Sequence, residues 1–367
     1  MFIRGGAPNE IIYRHADTNR IKTMKLLYLI GNGFDINVGL NTSYPEFLQY
    51  YLLQAPNAGL DKVGIRYVNR LKEDIKENIN LWSDLERQYG KHMAKLGHMG
   101  SEVHSLGEEF DIINDDIRDH LSKYMGREEG RIVFSEESKK TFLADLVKPE
   151  SFFRDFERNE VNGRKTNKWN NTSNVIDFIT FNYTRTIEKL LVKMPQQSSG
   201  FDINGPTHVH GYHDSRMVMG VNDVSQIDNE EIRKLTYTTD ALVKPNNNHV
   251  YGVSHTDRCI SLIQNAQLIC IYGLSFGDTD KNWWQKIIQE LRNRSDLLVL
   301  TFWYKKDSPN YSNMGHKLQY EMNVVKDMFL AQGGVADSER QKFMDRVYVK
   351  INGSIFNFKI EEVGIFK

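Results

Sequence analysis

Cysteine is almost missing: Cys259 and Cys270 are the two thiols in 367 residues. Two cysteines cannot build a disulfide framework or a four-thiolate zinc module, which fits a reducing cytoplasm. No apolar run approaches the roughly 20 residues that a membrane span needs. Neither charge sign dominates, since 47 basic and 48 acidic residues leave a formal net charge of −1. Bulk charge therefore points to neither nucleic acid nor membrane, although a local basic groove stays open. Internal repeats and low-complexity segments are also missing. Residues 1–23 lack the apolar core of a signal peptide. They are polar and without clear periodicity, which reads as a disordered leader or a consequence of start-site choice, with the folded unit starting near Met24.

What is present is a globular profile, 40% hydrophobic and 26% charged, sufficient for one large or two ordinary domains. The organising stretch is Leu26-Leu27-Tyr28-Leu29-Ile30-Gly31-Asn32-Gly33-Phe34-Asp35. Its five apolar residues read as a strand buried on both faces. The two glycines then read as a loop turning at positive φ, whose bare N–H groups could meet a phosphate. A tight strand-to-helix turn without ligand is the plainer alternative. Thr42-Ser43-Tyr44-Pro45-Glu46 reads as a helix start, capped by Thr42 or Ser43.

From Pro45 to about Glu157 the spacing is helical, for example Ile65, Val68, Leu71 and Ile75, then Phe110, Ile113, Ile117 and Leu121. This predicts a helical insertion over 45–160, with the polar stretch Asn159–Asn174 as the return loop. Strands are expected at 175–181, 207–210, 217–219, 267–272, 297–302 and 347–351. Helical patterns fall between them at 184–194, 227–242, 256–265, 278–293 and 313–330. Strands alternating with helices predict an α/β fold, a parallel sheet with helices on both faces and ligand loops at the strand carboxyl ends.

Three clusters carry chemistry. Asn182, after the strand ending at Phe181, either caps the next helix or turns its amide into a cleft. His208, His210 and His213 form the densest histidine cluster, and residues two apart on a strand share a face. They read as a proton carrier, a metal site or a hydrogen-bonded buried pair. Tyr212 stands where the metallo-β-lactamase pattern requires Asp, which weakens the metal reading, and no metal ligand is assigned. Gly273-Leu274-Ser275-Phe276-Gly277 matches a nucleophile elbow in form. Only His316 follows it, so the stretch reads better as a nucleotide loop, with Asp278 or Thr279 capping a helix and Asp280 in its first turn.

Taken in order, Gly31-Asn32-Gly33-Phe34-Asp35 with Gly39, Leu40 and Thr42, then Trp82-Ser83-Asp84-Leu85-Glu86, Phe181-Asn182-Tyr183-Thr184, His210-Gly211 and Gly273-Leu274-Ser275-Phe276-Gly277-Asp278-Thr279-Asp280-Lys281 resemble the bacteriophage abortive-infection AbiH family. The resemblance covers Met24 to about residue 330. That family in turn resembles a divergent branch of sirtuin-like, Rossmann-like nucleotide-binding folds, which would place residues 24–44 and 161–367 in one nucleotide-binding domain. The resemblance implies NAD as substrate rather than as a required cofactor. It implies Asn182 and His210 as catalytic residues, and Gly31, Asn32, Gly33, Phe34, Asp35, Thr42, Gly211, Gly273, Ser275 and Asp278 as ligand-binding residues. It also implies NAD hydrolysis during phage infection, a phage-derived trigger and assembly into homo-oligomers. Asp35 and Thr184 depart from the sirtuin pattern, which carries Ser and Asp at these places. Two other functions fit the residues: a non-catalytic nucleotide sensor or scaffold, and an RNA nuclease using the histidines with Asp214 or Asp223.

Overall fold

The computed structural model describes residues 23–97, 105–167, 173–192, 200–250, 255–309 and 311–361. The expected leader lies outside these residues except for Thr23. The strands are β1 (Thr23–Ile30), β2 (Ser173–Thr180), β3 (Phe201–Ile203), β4 (Thr207–His208), β5 (Leu268–Tyr272), β6 (Leu298–Trp303) and β7 (Val347–Ile351). They form one sheet in the order β3-β2-β1-β5-β6-β7, with β4 also paired to β2. Each strand pairing is parallel. β1 is central, matching Ile30 with Thr180 on one side and with Tyr272 on the other. The strand order reverses between β1 and β5, and at such a point an open Rossmann-like sheet leaves a crevice at its carboxyl edge.

The helices that follow β1 are α1 (Asn32–Val38), α2 (Tyr44–Leu53), α3 (Lys62–Glu77), α4 (Leu85–His92), α5 (Leu106–Gly130), α6 (Glu136–Val147) and α7 (Asp155–Asn167). Those that follow β2 are α8 (Thr186–Leu191), α9 (Glu230–Lys234), α10 (Thr236–Leu242), α11 (Lys244–Val250), α12 (His255–Asn265), α13 (Lys281–Asn293) and α14 (Gly315–Gln332).

Alternation along β1 explains the layers. Leu26, Tyr28 and Ile30 join a core with Phe142 and Leu146 of α6, Val161 of α7 and Phe356. Leu27 and Leu29 join another with Ile263 of α12, Trp284 of α13 and Phe329 of α14. Both sheet faces are thus covered, which is why the strand is continuously apolar. A third core lies between α2, α3, α4 and α5 and takes in Met217, Met219 and Leu242.

Several local expectations change. The Asn-Gly-Phe-Asp segment is the helix α1 itself, directly following β1. Ser43 caps α2 in a reciprocal capping box with Glu46, while Thr42 bonds elsewhere. Residues 159–167 are helical rather than a return loop, and 168–172 lie outside the described residues. Met217–Met219 is not a strand; it is buried because it packs on the third core, and Val218 N donates to His210 O at 2.8 Å. The expected strand 207–210 stops at His208, where the chain turns into Gly211 at φ +70°.

Candidate functional site

The carboxyl ends of β1, β2 and β5 open on a cleft of about 350 Å³. Beneath its floor two glycine segments meet. Gly31 N donates to Tyr272 O and Gly33 N donates to Gly273 O, both at 2.9 Å. A Cβ on Gly31 would stand 2.5 Å from Gly273 O, and one on Gly33 would stand 2.6 Å from Gly273 Cα. The expected positive φ and bare amides are therefore corrected: Gly31 is extended at φ −115° and Gly33 lies within α1. These glycines let two loops touch, and their N–H groups are already engaged. The positive φ belongs to Gly273, at +68°.

Of the residues expected to bind a ligand, Asn32, Asp35, Thr42, Gly273 and Ser275 line the cleft, together with Asn182 and His210. Gly31, Gly33, Phe34, Gly211 and Asp278 do not. Phe34 is a core residue, Gly211 lies against Arg216 O, and Asp278 accepts from Gln332 Nε2 at 3.1 Å. Asn32 and Thr42 hold each other: Asn32 Nδ2 donates to Thr42 O at 2.9 Å, and Thr42 Oγ1 donates to Asn32 Oδ1 at 2.6 Å.

Asp35 sits on α1 and is buried. Its Oδ2 accepts from Thr184 Oγ1, which is itself 3.0 Å from Thr186 Oγ1. Burial pushes its carboxyl up to about 6, against hydrogen bonding from Thr184, Thr186 and Asn182 and the nearby His208. Asn182 does not cap α8, whose N-cap is Arg185. Its Oδ1 is buried without a hydrogen-bond partner.

The opposite wall is a chain of ionisable groups. His210 Nε2 lies 3.1 Å from Asp280 Oδ1, while His210 Nδ1 is buried and unpartnered. Lys244 Nζ, at the start of α11, reaches the same Asp280 oxygen at 3.1 Å and Glu86 Oε2 at 2.7 Å. Burial opposes the charge on Asp280, yet Lys244 and His210 outweigh it and hold the carboxyl well below the usual range. Burial pushes Glu86 upward against the pull of Lys244. Burial also disfavours the charge of Lys244, but Asp280 and Glu86 together raise its ammonium above the ordinary lysine range. With Nε2 engaged by Asp280, Nδ1 is the ring nitrogen left without a partner.

The histidines do not act as one cluster. His208 Nδ1 is 2.9 Å from Asn182 O and its Nε2 is 2.9 Å from Glu188 Oε1, so both nitrogens are engaged. His213 faces Glu129 at 3.5 Å, Asp214 pairs with Arg185, and Asp223 caps a short turn. Residues 208 and 210 therefore do not share partners, because the strand ends before the second of them. Among the described residues no group of three or more His, Cys, Asp or Glu side chains could hold a metal ion.

Sequence reasoning missed the roles of Glu86 and Lys244. Glu86 ends the Trp82–Glu86 stretch, whose spacing carries no catalytic pattern. Lys244 had no signal at all, since a lone Lys-Pro is ordinary surface composition.

Fold and cleft together define an α/β protein with a polar crevice at the switch point of a parallel sheet, walled by a histidine–carboxylate–lysine chain. The model of the family described as "Bacteriophage abortive infection AbiH" matches residues 27–302. The chain belongs to that family, and its role is in abortive infection by phage. No curated protein matches the chain. Among the described residues no helix is long and apolar enough to cross a membrane.

Proposed function

We propose that the chain binds NAD across the switch point and hydrolyses it to nicotinamide and ADP-ribose. One observation carries the reading: Asn182 Oδ1 and His210 Nδ1 are both buried, both unpartnered and both on the wall of one cleft. Buried polar atoms nearly always have partners, so a pair of orphans in one cavity asks for a polar ligand. Asp35 and Thr184, the two places at which the chain departs from the sirtuin pattern, hydrogen-bond to each other; these departures favour the second reading, a nucleotide sensor that does not turn its ligand over.

Cavity shape agrees with a dinucleotide. Past Gly273, Leu274 and Ser275 a second cavity of about 560 Å³ extends to the ends of β6 and β7, beside Tyr272, Phe302 and Trp303. The distal base would lie there and the reacting ribose beside Asn182. The phosphates would pass over Ser275 and Gly277, whose N–H groups donate to no backbone carbonyl among the described residues.

Cleavage of the nicotinamide–ribose bond passes through an oxocarbenium-like state. Nicotinamide leaves as a neutral base, so no general acid is needed. Asn182 would orient the water or a ribose hydroxyl. His210 Nδ1 would take the proton of the attacking water, with Asp280 fixing the ring through Nε2. Incubating the purified protein with NAD, with and without infected-cell extract, and measuring nicotinamide tests the reading. Release that Asn182→Ala and His210→Ala abolish is the expected result. Saturable NAD binding without release in either condition replaces the hydrolase with a sensor.

A further inference from the structure

A separate cavity of about 360 Å³ lies behind the catalytic wall, between α11, α12 and α13. It shares His210, Lys244, Thr279 and Asp280 with the NAD cleft, so the two cavities meet at these four residues. A hydrolase needs only water at its second face. A cavity as large as the first is more than water requires.

The lining has a definite chemistry. Asn222, Asn248, Asn282, Gln285 and Gln289 line it with five carboxamides, together with the half-buried Trp283. Among the described residues none of these side chains is taken up by an internal hydrogen bond, whereas the neighbouring Asn247 amide donates to Ala241 O at 3.2 Å. A carboxamide offers a donor and an acceptor in one plane, which matches the paired edge of a nucleobase. An indole gives a base a surface to stack on. Lys286 on the same rim supplies a cation for a phosphate.

Given the NAD reading above, we propose that this cavity holds a nucleotide that accepts the ADP-ribosyl group. The C1′–N bond breaks and nicotinamide leaves with the bonding pair. A hydroxyl of the acceptor then forms the new C1′–O bond, and its proton passes to His210 and on to water. Free mononucleotides and the end of a single-stranded RNA share this recognition chemistry.

The test mixes the protein with adenylate-labelled NAD and either AMP or a short single-stranded RNA. The expected result is nicotinamide together with a labelled adduct of one of the two acceptors. The double variant Asn282→Ala/Gln289→Ala, both exposed helix positions, lowers the ratio of adduct to free ADP-ribose about tenfold or more. Nicotinamide accompanied only by free ADP-ribose in both arms overturns the acceptor cavity and leaves the hydrolase standing. Where no nicotinamide forms, the hydrolase reading falls, and calorimetric titration with AMP and with the RNA decides the cavity. Saturable binding weakened by the double variant supports it as a nucleotide site, and no binding of either overturns it.

Discussion

Thr184 donates its hydroxyl to Asp35 across a separation of 149 residues, joining the loop after β2 to the helix after β1. The carboxylate is buried, and its proton is held up to a pH of about 6 against an ordinary value of 3.8. The folded state therefore binds this proton more tightly than the unfolded chain. Its stabilising contribution is complete below the unfolded value and is lost as pH rises through about 6. The shift is worth about 3 kcal/mol as an order of magnitude. Asp35→Asn keeps an acceptor for Thr184 and removes the titration. The difference in urea midpoint between the parent and this variant should change between pH 4 and 6 and be flat above. A pH-independent difference would show that the burial of Asp35 is relieved by water.

Lys244 carries two buried carboxylates at once, at 2.7 Å and 3.1 Å. Removing it leaves Glu86 and Asp280 facing each other without a cation. Lys244→Met should lower stability by about 3–5 kcal/mol, the usual cost of stranding a buried charge. Adding Glu86→Gln should recover part of that loss, because one of the stranded charges is gone. Denaturation of both single variants and the double variant at neutral pH measures the coupling. Strictly additive effects would mean that Glu86 and Lys244 do not interact.

The parallel sheet was legible because β1, β5 and β6 are dominated by apolar runs, the pattern of strands buried on both faces. The meeting of Asn182, His210 and the loop at Gly273 on one cleft followed from their places at strand carboxyl ends. Helix α1 was illegible for a physical reason: Gly31 and Gly33 lower helix propensity, yet the close approach of Gly273 leaves no room for a Cβ at either position. Met217–Met219 has the composition of a strand and is buried like one, but against helices, which local sequence cannot distinguish. Glu86 and Lys244 meet across 158 residues, and no local spacing encodes such a pair.

On the proposed hydrolysis of NAD, His210 and Asp280 should separate kinetically. Positioned acid–base groups contribute about 10²–10⁴-fold, so His210→Ala should lower nicotinamide release by at least about 10²-fold with little change in KM. Asp280 touches the imidazole, and in the proposed reaction it would act as a positioning residue. Asp280→Asn should lower kcat less and move the pH profile, because the Nε2 proton loses its anionic acceptor. Urea midpoints of the same variants must be followed alongside, since Lys244 also loses a partner in Asp280→Asn. Equal losses at a common pH profile would assign Asp280 a purely structural part.

The glycines at the switch point are expected to be intolerant for reasons of contact. On Gly33 a methyl group would meet the Cα of Gly273 at 2.6 Å, and on Gly273 it would meet Phe34 N at 2.6 Å in addition to the strain of a left-handed φ. Backbone atoms on both sides cannot step aside as a flexible side chain can. Gly33→Ala and Gly273→Ala should each cost about 1–3 kcal/mol and widen the cleft floor. Gly163 supplies the contrast: it lies inside α7 with nothing within 4 Å of its would-be Cβ. Gly163→Ala should raise stability by about 0.5–1 kcal/mol through helix propensity and reduced freedom of the unfolded chain. Thermal melts of the three variants read the signs directly. A stable, unaltered Gly33→Ala protein would show that the two loops have room to separate, and the cleft floor would then be a hinge instead of a fixed wall.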